Sequence, residues 1–302
     1  MLFNLVLEHV IRKVMTLDLW LDLNGRHMVI GYADDLALLG EHSNDVAVAA
    51  MILEEEAKKV GLMINYDKTE YFHMKRYRNT REARQDLHVG NTTYKGVTKF
   101  KYLGCTVTDT NTRDKEIQIR IQNTLRCSAA LHKVLVSKLL SRNTKITIYK
   151  TIIHPILMYG CEAWTLTLRE ENRLLVTERK IYRKILGPTK RQDGSWRMKT
   201  NAEITNLVSE PNIIGVTKSH RLRWLGHVER MGEDRAVKRA YLGRPIGRRP
   251  VGRPRYRWKD MAEADLRQIK ANNWREIAQD RAKWRNLVSE AKTHFGSLSQ
   301  MS

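Results

Sequence analysis

Asp34 and Asp35 stand side by side within residues 27–40, HMVIGYADDLALLG, between two apolar runs. The alternation predicts two short strands, 27–32 and 36–39, joined by a tight turn that carries both carboxylates. Flanks of that kind favour burial, while two adjacent anions repel one another unless a cation lies between them. Carboxylate oxygens suit Mg²⁺, which also takes oxygens from phosphates. The reaction class open to such a turn is phosphoryl transfer, in which positioning and charge neutralisation supply most of the catalysis. Two adjacent aspartates rarely hold two metal ions alone, so a third carboxylate from another strand is expected. By itself the dipeptide also suits a solvated β-turn, where Asp is common.

Several elements must hold that turn. Leu2, Leu5, Val6, His9, Val10 and Lys13 recur at helical spacing over residues 2–14. Asn24-Gly25 is a turn signal leading into the hairpin. Ser43 is placed to cap a helix over 44–60, with Asp45 in its first turn, Lys58 and Lys59 in its last, and Gly61 after it. A short strand is expected at 62–65 and a charged loop at 75–86. Further β segments are expected at 88–89, 92–94 and 100–107, separated by glycines. Beyond residue 112 the pattern is helical: 113–139, 144–159 with a kink at Pro155, and 169–186, then a linker at 190–196. Helices are expected again at 201–208, 218–231, 258–270 and 274–292. The fold class is α+β, with domains at 1–110, 111–190 and 191–302.

The chain of 302 residues carries a net charge of +21, which points to a polyanionic partner, most simply nucleic acid. Residues 181–302 hold 27 Lys and Arg against 12 Asp and Glu, a net of +15 out of the total +21. Within 244–257, RPIGRRPVGRPRYR, the six arginines Arg244, Arg248, Arg249, Arg253, Arg255 and Arg257 stand without an acid. Gly and Pro exclude a regular helix there, so the segment is suited either to lie along phosphates or a minor groove, or to serve as a solvated linker. Trp224, Trp258, Trp274 and Trp284 are better placed as core anchors of small helices than as base-stacking platforms. Three cysteines, Cys105, Cys127 and Cys161, form no CxxC pair, which argues against a disulfide scaffold and a cysteine zinc site. His220 and His227 have no cysteine near them in the chain, which disfavours zinc there as well. No apolar run is long enough to span a membrane, and the N-terminus lacks the features of a signal peptide. A nuclear or cytoplasmic location is expected.

Tyr32-Ala33-Asp34-Asp35 resembles the YADD motif of reverse transcriptases, motif C of the polymerase palm. Downstream, GLMINYDKTE at 61–70 resembles motif D of the non-LTR retrotransposon enzymes, and FKYLGC at 100–105 the segment near their primer grip. LFNLVLE at 2–8 looks like the helix after motif B, and IHPILMYGCEAW at 153–164 like the thumb. RLRWLGHV at 221–228 and GRPR at 252–255 look like the tail of such reading frames, and Gly252-Arg253-Pro254 also resembles an AT-hook core.

The resemblance implies a partial palm with the YADD hairpin, a helical thumb and a basic, mostly helical C-terminal region, descended from an RNA-directed DNA polymerase with Mg²⁺ as cofactor and with an RNA template and a DNA primer as partners. It makes Asp34 the direct metal ligand and Asp35 its weaker partner, with Tyr32 and Ala33 beneath the primer end. Lys68 becomes the proton donor to pyrophosphate, or else a surface lysine of a charged loop. Tyr102, Leu103 and Gly104 would hold the primer backbone, or else form an ordinary strand and turn. The family's remaining metal-ligand aspartate and its fingers precede motif B, where this sequence begins. The expectation is therefore a fragment that does not polymerise alone. The alternative is a non-catalytic RNA- or DNA-binding protein derived from such an element.

Overall fold

The computed structural model describes residues 2–16, 21–22, 26–27, 29–74, 85–243 and 257–298. They fall into two compact units: Met1–Thr112 with Gly232–Arg249, and Arg113–Met231 with Pro250–Ser302. The architecture is α+β, mostly helical, with several small sheets.

The first unit opens with α1 (Leu2–Val14). Two-residue strands β1 (Leu21–Asp22) and β2 (Arg26–His27) form an antiparallel pair. The YADD hairpin follows as β3 (Val29–Tyr32) and β4 (Asp35–Leu38), and then α2 (Ser43–Lys59). The Asp45 carboxylate accepts the His42 backbone N–H at 3.1 Å, so the cap falls at His42 rather than at Ser43. Gly61, at φ 76°, ends the helix in the left-handed region. Val10 and Val14 of α1 meet Ala49, Leu53 and Ala57 of α2, and Val29, Leu36 and Leu38 press the hairpin onto both helices. Only the C-terminal half of the α1 stripe is used, because Leu2 and Leu5 are exposed. Residues 62–65 are not a strand. Leu62 and Ile64 reach the core from irregular backbone, and Asn65 turns the chain by accepting the Lys68 and Thr69 N–H groups.

Strands β5 (Glu70–Phe72), β6 (Leu87–Val89) and β7 (Thr92–Val97) make a sheet of order β5-β7-β6, parallel on the β5 side and antiparallel on the β6 side. Leu87, Val89 and Tyr94 bury its face against Ala50 of α2. β8 (Lys99–Tyr102) and β9 (Cys105–Thr108) form a second hairpin.

The second unit begins with α3 (Asp114–Ala130) and α4 (His132–Val136), in place of one helix to residue 139. The break at Leu131 turns Leu135 fully into a core with Tyr149, Ile153 and Ile181. α5 (Arg142–Ile148) passes through a π-helical turn, Tyr149–Ile153, into α6 (His154–Met158). The disturbance expected at Pro155 takes this form, since Pro lacks the N–H that would continue the α ladder. A 3₁₀ turn (Cys161–Ala163) precedes α7 (Leu168–Leu186), whose Thr167 and Glu170 form a capping box. The expected linker is partly ordered as a small hairpin, β10 (Thr189–Lys190) with β11 (Trp196–Arg197).

Next come α8 (Asn201–Val208) and α9 (Ile213–Glu229). α9 starts five residues before the expected 218, because the Asn212 carboxamide oxygen accepts the Ile214 and Gly215 N–H groups at 2.9 and 3.2 Å. It is buried on most sides rather than along one stripe. α10 (Ala236–Leu242) belongs to the first unit. The second unit closes with α11 (Trp258–Gln268), α12 (Trp274–Gln279) and α13 (Arg281–Leu298). The helix expected over 274–292 is interrupted at Asp280, whose carboxylate accepts the Ala282 and Lys283 N–H groups. α13 crosses α9 so closely that a Cβ on Gly215 would lie 2.5 Å from the Lys292 carbonyl oxygen, and one on Gly226 would overlap the Trp284 ring. Trp274 and Trp284 are core residues, 7% and 3% exposed.

Candidate functional site

The hairpin register pairs Val29 with Leu38, Ile30 with Ala37, Gly31 with Leu36 and Tyr32 with Asp35. The turn is therefore the two residues Ala33 and Asp34, and Asp35 is the first residue of β4, not part of the turn. Side chains alternate across the ladder. Val29, Leu36 and Leu38 face the helices, and Tyr32 and Asp35 share the opposite, open face with Ile30. A two-residue hairpin turn calls for positive φ, and Ala33 adopts φ 55°. A side chain in that region costs about 1–2 kcal/mol. Strain of this kind persists where the surroundings enforce it and gathers at functional turns. Asp34 and Asp35 are exposed, and neither carboxylate has a hydrogen bond or ion pair with a described residue.

The β8–β9 hairpin repeats the device. Tyr102 pairs with Cys105 around a turn of Leu103 at φ 45° and Gly104 at φ 79°. The Tyr102 hydroxyl is buried without a hydrogen-bond partner among the described residues. Burial, helped by the negative charge of Asp35, raises the Tyr102 phenol above its usual range. Asp35 and Tyr102, 67 residues apart, thus share one electrostatic neighbourhood. Lys68 lies exposed in the turn after Asn65, and its ammonium makes no ion pair or hydrogen bond among the described residues.

Hard carboxylate oxygens in open positions fit Mg²⁺ by donor type. Among the described residues no third Asp, Glu, His or Cys joins Asp34 and Asp35 in a group able to hold an ion. The expected Arg-rich contact falls largely outside the described residues, since Arg244, Arg248, Arg249, Arg253 and Arg255 do. Arg257 is exposed just before α11. In the second unit an open groove of about 630 Å³ runs between α3 and α7, lined by Ile121, Arg169, Asn172, Arg173, Val176 and Thr177. Of its two guanidinium groups, that of Arg173 already donates to the Asp114 carboxylate at 2.5 Å, which leaves Arg169.

Titratable side chains that the linear spacing did not connect meet inside the second unit. Cys161, Glu162 and His220 each bring one ligand atom within 4.8 Å of the others. Burial pushes the Cys161 thiol up to about 12. Burial, with Arg223 nearby, lowers His220. Glu178, buried between α7 and α9, accepts from the Tyr149 hydroxyl at 3.2 Å and the Ile213 N–H at 3.0 Å, and burial still lifts it to about 7. Arg221 is wholly buried. It donates to Asp265 at 2.6 Å, while its Nε and Nη2 have no partner among the described residues.

Residues 1–107 match the family model described as "Reverse transcriptase (RNA-dependent DNA polymerase)". Over 286 residues the chain is 26% identical to an uncharacterized transposon-derived protein of Caenorhabditis elegans, covering 90% of this chain and 99% of the relative. No solved structure matches the chain.

Proposed function

We propose, from the match of residues 1–107 to the reverse transcriptase family model, that this chain derives from the RNA-directed DNA polymerase of a non-LTR retrotransposon and binds nucleic acid without extending a primer by itself. Supporting this, Tyr32-Ala33-Asp34-Asp35 forms a strained two-residue turn with both carboxylates open. A divalent ion, when bound, would supply charge neutralisation at the attacking and leaving oxygens. Asp34 and Asp35 are the residues that would hold it, here Mg²⁺. Tyr32 and Ala33 at the turn, and Tyr102, Leu103 and Gly104 at the second hairpin, form the proposed primer-facing set, with Lys68 as the proposed acid toward pyrophosphate.

The observation that carries the inactivity of the chain alone is the missing third ligand beside Asp34 among the described residues. Ions held by two adjacent carboxylates would keep mostly water in their shells and would not be fixed for in-line transfer. The net charge of +21 favours retained binding to RNA or DNA in the nucleus or cytoplasm. No helix among the described residues is long and apolar enough to cross a membrane.

The test is primer extension by the purified chain with Mg²⁺, primed RNA template and deoxynucleotides, run beside a salt titration of binding. The expected result is no extension, and an affinity that falls steeply with salt. Extension abolished by Asp34→Ala would establish a complete enzyme instead. Absence of binding at low salt would remove the binding function.

A further inference from the structure

Cys161 sits in the 3₁₀ turn after α6, and His220 lies 59 residues later in the middle of α9. The lack of a CxxC pair and of a cysteine near His220 in the chain spoke against zinc. Folding removes that objection, because the turn packs onto α9 and places the Cys161 sulfur, a Glu162 carboxylate oxygen and a His220 ring nitrogen within 4.8 Å of one another. We propose that Cys161, Glu162 and His220 form a site for a zinc-class divalent cation, with three protein ligands and one open position for water.

The donor set selects the ion. Sulfur, imidazole nitrogen and a single carboxylate suit Zn²⁺ or Co²⁺ and not Mg²⁺ or Ca²⁺. Tetrahedral bonds of ordinary length put such ligand atoms roughly 3.5 Å apart, so the three need close by no more than about 1 Å. Glu162 and His220 are both half-buried and can move to do so, while Cys161 is fully buried. A thiolate and a carboxylate together carry two negative charges, which neutralise the dication in a half-buried place.

The surroundings bear on the same point. Arg221, Arg223 and Lys292 lie close enough to act electrostatically on Cys161 or His220, and unaided they would repel a cation. Arg221, whose charge acts on Cys161, also keeps two N–H-bearing nitrogens without partners among the described residues. A buried unsatisfied donor costs about 1–3 kcal/mol, more when charged. Metal binding exchanges the thiol proton for the ion and leaves a thiolate, an anion in the neighbourhood of that guanidinium. The Trp258 indole N–H, donating to the Glu162 carbonyl at 2.6 Å, holds the turn from the α11 side. The ion would clip this turn to α9 across the intervening loop.

The experiment is a Co²⁺ titration of the reduced full chain, followed by the thiolate-to-cobalt absorption and displaced by Zn²⁺. One equivalent is expected. Cys161→Ser should abolish the absorption, His220→Gln should weaken binding at least tenfold, and Zn²⁺ should raise the melting temperature of the native chain and not of Cys161→Ser. The double substitution Cys105→Ser, Cys127→Ser leaves Cys161 as the sole thiol and should keep the absorption. That variant decides the question even if Cys161→Ser fails to fold. No thiolate absorption in the native chain, its loss in the double variant, or its persistence in a folded Cys161→Ser chain would overturn the site.

Discussion

At the tip of the β3–β4 hairpin, Asp34 and Asp35 stand exposed, without a partner among the described residues. Inside the second unit, Arg221 has none of its surface exposed and meets Asp265 at 2.6 Å, with Lys218 adding a second contact to Asp265 at 3.2 Å. The turn keeps its anions hydrated, so holding them there costs little and they remain open to a cation. The interior has already removed its charges from water, and each depends on its neighbour. A perturbed, buried charge is often taken as the mark of a functional site. In this chain the buried charges hold the helical unit together, and the two carboxylates of the YADD hairpin are the ones left open.

The largest expected effect is on the buried side of this contrast. Asp265→Ala strands the Arg221 charge and should cost roughly 3–5 kcal/mol, read from urea unfolding followed by tryptophan fluorescence. A loss under 1 kcal/mol would show that water reaches Arg221.

Glu178 comes next. Its folded value of about 7 lies above the ordinary 4.5, so the native state holds the extra proton between those pH values. Stability therefore falls as pH rises through that window, by about 3 kcal/mol in total, and levels off above it. His154 acts the other way: burial lowers it from 6.5 to about 4, and its contribution is lost as pH falls through that range. The Glu178 decline should thus stand out between pH 6.5 and about 7, above the His154 range, and Glu178→Gln should flatten it in thermal melts. An unchanged slope would remove the assignment.

Gly215→Ala should cost about 1–3 kcal/mol, because backbone atoms of α13 occupy the space. Crystallography of the variant would show α13 displaced. The smallest effect belongs to the open side. Asp34→Asn should change stability by less than about 0.5 kcal/mol, since the side chain is exposed and has no hydrogen bond or ion pair with a described residue. A larger loss would reveal a partner and erase the contrast.

The hairpin was legible in the sequence because its information is local. Apolar alternation sets two strands, and YADD marks the turn. What escaped was one residue of register: Asp35 begins a strand because a two-residue turn needs only Ala33 and Asp34. The helix break at Asp280 was also written locally, in an Asp able to accept the N–H groups of the next two or three residues, but helical periodicity hid it. The meeting of Cys161 with His220 has no local signature. It follows from the packing of a turn on a helix 59 positions away. Likewise the early start of α9 follows the Asn212 cap rather than an amphipathic stripe, because that helix is buried on most sides.

The order in which the chain leaves the ribosome gives the α9–α13 crossing a further consequence. α9 ends at Glu229, while α13 starts only at Arg281, after a segment that belongs partly to the other unit. At synthesis rates of roughly 5–20 residues per second, α9 waits several seconds for the helix that covers Gly215 and Gly226. During that interval Leu222, Leu225 and the Arg221 charge lack their final surroundings. A nascent chain stalled at residue 280 should therefore be a preferred target of chaperones, and emergence of α13 should end that dependence.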